Sequence, residues 1–236
     1  LEKLLDVKVY VMTPEEFRKA GHQLIDWIAD YRSGIDQMPV KAQVQPGDIK
    51  NRFERSAPED KAPFEELIDM LDSRVIEGIT QVQSPMNFGW FPSNASLASV
   101  LGDIASSGIG GLGISWESCP SLTEVEEVTV DWMRQLVGLS DQWRGTIHDT
   151  ASTACLTALL AARERAGKFA LQDGGLQALP SALVVYTTEE AHSSIEKSTL
   201  LAGFGRDNLR IVETDKSTRA MSHASLATEI GHDLLS

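Results

Sequence analysis

The chain has 236 residues, 42% of them hydrophobic, which is enough for a sizeable core and unlike collagen, low-complexity or disordered sequence. A formal net charge of −13 argues against nucleic acid or an anionic membrane as partner, because both demand basic patches. Cys119 and Cys155 are far apart and lack metal-ligand spacing; with no secretory segment and no apolar run of spanning length, free thiols in the cytoplasm are expected.

The first clear element begins at Thr13. Pro14 suits the first helical position and Glu16 completes a capping box with Thr13, so residues 1–12 read as an extension or cloning remnant in which Met12 could be a natural start. Phe17, Ala20, Leu24, Ile25, Ile28 and Tyr31 recur on one helical face as far as Gly34. Residues 38–63 carry Pro39, Pro46 and Pro58 and read as an extended arm. A second amphipathic helix follows, with Phe64, Leu67, Ile68, Leu71, Val75 and Ile79 expected to face inward. Two helices and an arm cannot enclose a core, so residues 13–84 should pack on the rest of the chain or on a second subunit.

The loop SPMNFGWFPS, residues 84–93, holds Phe88, Trp90 and Phe91 between prolines, a pattern expected to line a flat apolar pocket. Residues 95–114 are mostly Ser, Ala, Gly and aliphatics; Gly108, Gly110, Gly111 and Gly113 suit either close packing or tight turns. Pro120 and Ser121 with Glu124 predict another capped helix, whose Leu122, Val125, Trp132, Met133, Leu136 and Val137 share an apolar face ending at Gly138. Glu124, Glu126, Glu127 and Asp131 then form a solvated face rather than a metal site.

The segment GTIHDTASTACLTALLAARER, residues 145–165, reads as a short strand, a turn of small hydroxylated residues and a helix. The Thr and Ser residues of the turn, Thr150, Ser152 and Thr153, can cap the free N–H groups of the helix, and the same groups with the dipole's positive end make an anion site; from the turn alone the ordinary N-cap is the commoner arrangement. ALVVYT, residues 182–187, is a second strand, and Ser193 with Glu196 predicts a capping box that leaves His192 at the strand-to-helix junction. Ligands bind at such strand ends in open α/β sheets, although a lone His is more often structural. With a third strand near 209–213 and a last helix at 225–234, an α/β fold with parallel crossovers and an incomplete sheet is expected.

Four stretches, FGWFPSNAS, GISWESCPSLTEVE, GTIHDTASTACLTALLAARER and AHSSIEKSTLLAGF, resemble the pyridoxal-phosphate-dependent group II amino acid decarboxylases, in particular the aromatic-L-amino-acid decarboxylases. The resemblance runs from about Thr13 to the end of the sequence. It implies fold type I, the pyridoxal-phosphate-dependent transferase-like fold, with residues 13–84 as a helical dimerisation segment and 85–236 as the first part of a mainly parallel large domain. It implies pyridoxal 5'-phosphate as cofactor, a homodimer, and decarboxylation of an aromatic L-amino acid to the amine and carbon dioxide.

By the same resemblance, Thr150, Ala151 and Ser152 match the phosphate-binding turn, and His192 matches the histidine stacked on the cofactor ring, where it influences protonation. Trp90, Phe91, Pro92, Ser93, Leu112 and Ile114 fall where the family contacts substrate. Two positions depart from the pattern: Asp149 stands where the family commonly has Gly, and Trp90 where animal members have Tyr. The lysine that bonds the cofactor and the acid at its pyridine nitrogen have no match; Lys168, Lys197 and Lys216 do not fit the lysine motif. Two alternatives stay open, a related aromatic aldehyde synthase and a catalytically silent fragment or dimerisation module. Retention of His192 favours plain decarboxylation over the first.

Overall fold

The computed structural model describes residues 11–91, 95–169 and 171–235, so the first ten residues of the expected extension lie outside it. The chain divides into two compact units, Leu1–Gly110 and Gly111–Ser236.

In the first unit, helix α1 (Pro14–Ser33) begins at the expected capping box: Glu16 N–H donates to Thr13 Oγ1 at 3.2 Å and Thr13 N–H to Glu16 Oε2 at 2.8 Å. The box satisfies two of the donors that a helix start leaves without partners. Helix α2 (Phe64–Met70) is shorter than its apolar pattern predicts; it widens into a π turn at Leu71–Val75 and tightens into a 3₁₀ turn at Ile76–Gly78. Ser73 contributes to this change, because its hydroxyl donates to Asp69 O at 2.7 Å and competes with the backbone ladder for that carbonyl. Polar ties join the two runs: Lys19 Nζ to Glu65 Oε1 at 2.8 Å, and the Trp27 indole N–H to Asp72 Oδ1 at 3.0 Å. Lys19 holds the Glu65 carboxyl well down, to about 2. Helix α3 (Leu97–Ile109) starts on the Ser96 hydroxyl and stops at Gly110, whose left-handed backbone, φ +62°, is the conformation that glycine adopts without strain.

In the second unit, helix α4 (Pro120–Leu136) opens with Pro120 at its first position, as expected, but Ser121 does not cap it. Cys119 holds the cap position, and Glu124 instead accepts from the Trp116 indole at 2.7 Å. Helix α5 (Ala151–Ala166) is followed by strand β1 (Val185–Thr187), helix α6 (Ser194–Leu201), strand β2 (Leu209–Ile211) and helix α7 (His223–Leu235). The two strands pair in parallel, Val185 with Leu209 through Thr187 with Ile211, and the Val212 N–H extends the ladder to Thr187 O at 2.7 Å. The strand expected at 145–148 does not form: among the described residues it has no ladder partner, and a strand is defined by its neighbour.

The core of this unit lies where α5 and α6 pack together beside the strands. Ala202, Phe204 and Val212 are buried there, with Ser194, Ser198 and Thr199 of α6. Thr199 Oγ1 donates to Ile195 O at 2.8 Å, so its buried hydroxyl is satisfied, and Arg163 of α5 donates to Ala202 O at 2.6 Å beyond the end of α6. Asp233 of α7 joins both strands, accepting from Tyr186 Oη at 2.8 Å and from Arg210 Nη2 at 2.7 Å. Burial and this hydrogen bond raise the Tyr186 phenol, while Arg210 lowers the Asp233 carboxyl. By contrast, the apolar face predicted on α4 stays exposed at Val125, Trp132, Met133 and Leu136, as do Leu101 and Ile109 of α3.

Val212 is 1% exposed and Leu101 57%. Val212→Ala is expected to cost about 2 kcal/mol through lost burial and a cavity, whereas Leu101→Ala should stay within about 0.5 kcal/mol. Urea denaturation of the two variants checks the contrast.

Candidate active site

The start of α5 is the most developed polar feature among the expected site residues. Thr150 has extended backbone at the cap, and its Oγ1 accepts the Thr153 N–H at 3.2 Å, while Thr150 O takes that of Ala154 at 3.1 Å. Thr153 completes a hydroxyl version of the capping box, its Oγ1 accepting the Thr150 N–H at 3.3 Å. The N–H groups of Ala151 and Ser152 are left without partners among the described residues, at the positive end of a 16-residue helix. Ser152 is exposed and adds a hydroxyl. Such a turn receives an anion such as a phosphate.

Asp149 precedes this turn but is engaged: the Thr153 hydroxyl donates to its Oδ1 and holds the carboxyl below its ordinary range. Its negative charge already draws on the favourable potential of the helix start, so it weakens the site for a second anion without filling it.

The segment leading into the turn is held by a residue that sequence reasoning assigned to a solvated face. Glu126 of α4 accepts from Ile147 N–H at 2.8 Å and from Thr146 Oγ1 at 2.9 Å through the same carboxylate oxygen. The backbone bond from Ile147, then the Thr146 hydroxyl, lowers the Glu126 carboxyl. Gly145 fits this approach because a Cβ there would stand 2.9 Å from Val130 Cγ1. Glu126 lies 20 residues from Thr146 and 21 from Ile147, and no local pattern announces it. The segment borders a cavity of about 1050 Å³ lined by Val130, Met133, Trp143, His148, Thr150 and Ala151.

His192 sits past the end of β1, as expected, but the predicted capping box is absent. Ser193 already has helical backbone, φ −56° and ψ −14°, and its side chain makes no cap. A capping hydroxyl needs the extended backbone that Thr150 has. The imidazole takes its place: Ser194 N–H donates to His192 Nδ1 at 3.2 Å, and Ser194 Oγ lies 3.0 Å from the same atom. Glu196, the other half of the expected box, pairs with Arg206 at 2.7 Å. His192 lines a separate cavity of about 420 Å³ with Thr187, Ile195, Glu196 and Arg206. The structure thus gathers Thr150, Ala151 and Ser152 in one turn but places His192 at another cavity. Trp90 and Phe91 are exposed in the first unit, Leu112 and Ile114 in the second, and Pro92 and Ser93 lie outside the described residues. No three metal-binding side chains cluster among the described residues.

The family model for the pyridoxal-dependent decarboxylase conserved domain matches residues 46–233. The chain belongs to this family. Tryptophan decarboxylase 2 of Oryza sativa subsp. japonica is 38% identical over 210 residues, 86% of this chain and 41% of that protein. Phenylacetaldehyde synthase of Arabidopsis thaliana is 36% identical over 230 residues, 94% of this chain and 46% of its own length. The crystal structure of Catharanthus roseus tryptophan decarboxylase in complex with L-tryptophan superposes with a TM-score of 0.86 at 31% identity, covering 97% of this chain and 49% of that one. The chain therefore spans about half the length of these relatives, and its fold is part of the fold type I large domain with its preceding helices. Pyridoxal phosphate is the cofactor of the family, and the open N–H groups and exposed Ser152 hydroxyl at the start of α5 fit its phosphate.

Because the Glu126 carboxyl is lowered in the folded chain, its hold on Ile147 is present above the ordinary carboxylate range and is lost as pH falls through the folded value. The Ile147 amide resonance should titrate with a midpoint below the ordinary glutamate value, and Glu126→Gln should remove that titration. Amide-detected NMR across the acid range checks both outcomes.

Proposed function

We propose that this chain is the cofactor-cradling part of a pyridoxal-phosphate-dependent carboxy-lyase that converts an aromatic L-amino acid to the corresponding amine and carbon dioxide. The observation that carries the reading is the start of α5, where Ala151 and Ser152 leave two N–H groups open in a turn that Thr150 and Thr153 keep in shape. The aromatic substrate class is supported by the names of the relatives, tryptophan decarboxylase among them.

In this reading Ala151 and Ser152 hold the cofactor phosphate, with Thr150 shaping the turn. His192 lies against the cofactor ring and offers Nε2 to the reacting side. Trp90, Phe91, Pro92 and Ser93 are proposed substrate contacts, as are Leu112 and Ile114. When bound, pyridoxal phosphate supplies an electron sink for the pair left behind as carbon dioxide departs. The residues of this chain hold the phosphate, set the plane of the ring and place a ring proton near the carbon to be protonated. The bonding lysine and the pyridine-nitrogen acid are assigned to the further length that the relatives have.

A homodimer and a cytoplasmic location belong to the same proposal. The first is supported by exposed apolar side chains on the N-terminal helices, such as Phe17 and Leu67, and the second by free thiols at Cys119 and Cys155. Among the described residues no helix is long and apolar enough to cross a membrane.

A second reading, oxidative conversion to an aldehyde, is favoured by one observation: the phenylacetaldehyde synthase of Arabidopsis thaliana matches 94% of this chain at 36% identity. Peroxide and ammonia among the products would select it.

The test is the full-length protein supplied with pyridoxal phosphate and with tryptophan, tyrosine or phenylalanine. Cofactor absorbance and release of carbon dioxide with one equivalent of amine are expected; no carbon dioxide from any of the three refutes the proposal. His192→Ala should lower kcat by about 10²-fold. Asp149→Asn, by removing charge beside the phosphate, should tighten cofactor binding by about two- to fivefold, as read by absorbance titration.

A further inference from the structure

We infer that Ser194 is a positioning residue that anchors the Nδ1 edge of His192 and thereby presents Nε2 as an N–H donor. The inference deepens the proposed decarboxylase, since that reading relies on His192 without saying what orients its ring.

The argument begins with what each group can do. A backbone N–H only donates, so the Ser194 N–H, 3.2 Å from Nδ1, makes that nitrogen an acceptor. A neutral imidazole whose Nδ1 accepts carries its proton on Nε2. The Ser194 hydroxyl lies 3.0 Å from the same Nδ1 and has no other partner among the described residues. Ser194 is 5% exposed, so this hydroxyl would lose hydrogen bonding altogether if the ring turned away. Turning the ring over would bring a carbon against both donors and forfeit both bonds.

The surroundings agree. Ile195 N–H donates to His192 O at 3.0 Å, which fixes the backbone of the histidine at the entry to α6. Nε2 has no partner among the described residues, and His192 is exposed at its cavity. The neighbouring Glu196 is paired with Arg206. The ring is therefore held on one side only, and its free edge is the N–H edge.

The sequence signal is small, a serine two places after the histidine. Ser193, the more obvious capping candidate, does not cap. Ser193→Ala is accordingly the control, with Ser194→Thr as the substitution that keeps the hydroxyl.

The experiment is ring-nitrogen NMR of the 15N-labelled full chain, at a pH well above the ordinary imidazole value of about 6.5. Two-bond proton–nitrogen correlations distinguish the Nδ1–H and Nε2–H forms of His192. The parent, Ser193→Ala and Ser194→Thr should show the Nε2–H form. In Ser194→Ala the Nδ1–H form should rise about fivefold relative to the parent, the change expected from losing one neutral hydrogen bond. An Nδ1–H form dominating the parent overturns the inference, as does a Ser194→Ala spectrum identical to the parent. Should circular dichroism show that Ser194→Ala has lost helix, Ser194→Cys, with a weak donor of similar size, is read by the same criterion. The measurement needs neither cofactor nor substrate, so its failure is distinct from a failure to release carbon dioxide.

Discussion

Two parallel strands cannot be closed by a tight turn, and the second unit is built on that constraint. With Val185–Thr187 and Leu209–Ile211 running the same way, the chain leaves Thr187, travels back and re-enters at Leu209. Helix α6 fills the return path, and its start falls just beyond the exit of β1, which is why His192 stands at a strand end. Packing α6 against α5 places the second helix start as well, and the Arg163 bond to Ala202 O ties the two helices together. Ala202 and Phe204, within that crossover, and Val212, just past β2, are buried.

The helix starts solve one physical problem in different ways, and the differences carry the chemistry. Each must satisfy backbone N–H groups that have no intrahelical partner. Helix α1 uses a threonine and a carboxylate, which fills the site with negative charge. Helix α5 uses two threonine hydroxyls, which leave the Ala151 and Ser152 N–H groups open to an anion. Helix α6 uses an imidazole, so its cap also orients a titratable ring. Asp149 moderates the second case, since its carboxylate rests on Thr153 close to where an anion would settle.

Much of this was legible in residue patterns. The Thr13–Glu16 box, the start of α5 after Thr150, the parallel pair of strands and His192 at the strand exit all follow from local periodicity and capping chemistry. Where local reasoning failed, a partner distant in sequence or a backbone angle was responsible. Residues 145–148 look like a strand, but they find no ladder and are held by Glu126 instead. Ser193 looks like a cap, but its backbone is already helical. The face of α6 turned inward is made of Ser194, Ser198 and Thr199, which hydropathy alone would place outside. Conversely, the apolar face of α4 was legible as a face, and sequence does not say what covers it.

The sequence by itself determined the class of fold and the family, through four stretches whose resemblance lies in local motifs, and it located the Thr150 helix start and His192 past a strand end, because these depend on residues that are neighbours along the chain. Only the tertiary structure decided that Glu126 holds the segment leading into the start of α5, that Asp149 is engaged by Thr153, and that the backbone N–H of Ser194, rather than the side chain of Ser193, makes the hydrogen bond at the start of α6. Those are matters of direction and distance. A hydrogen bond depends on ångströms and angles that packing sets, and residue order constrains these only where the partners are neighbours along the chain.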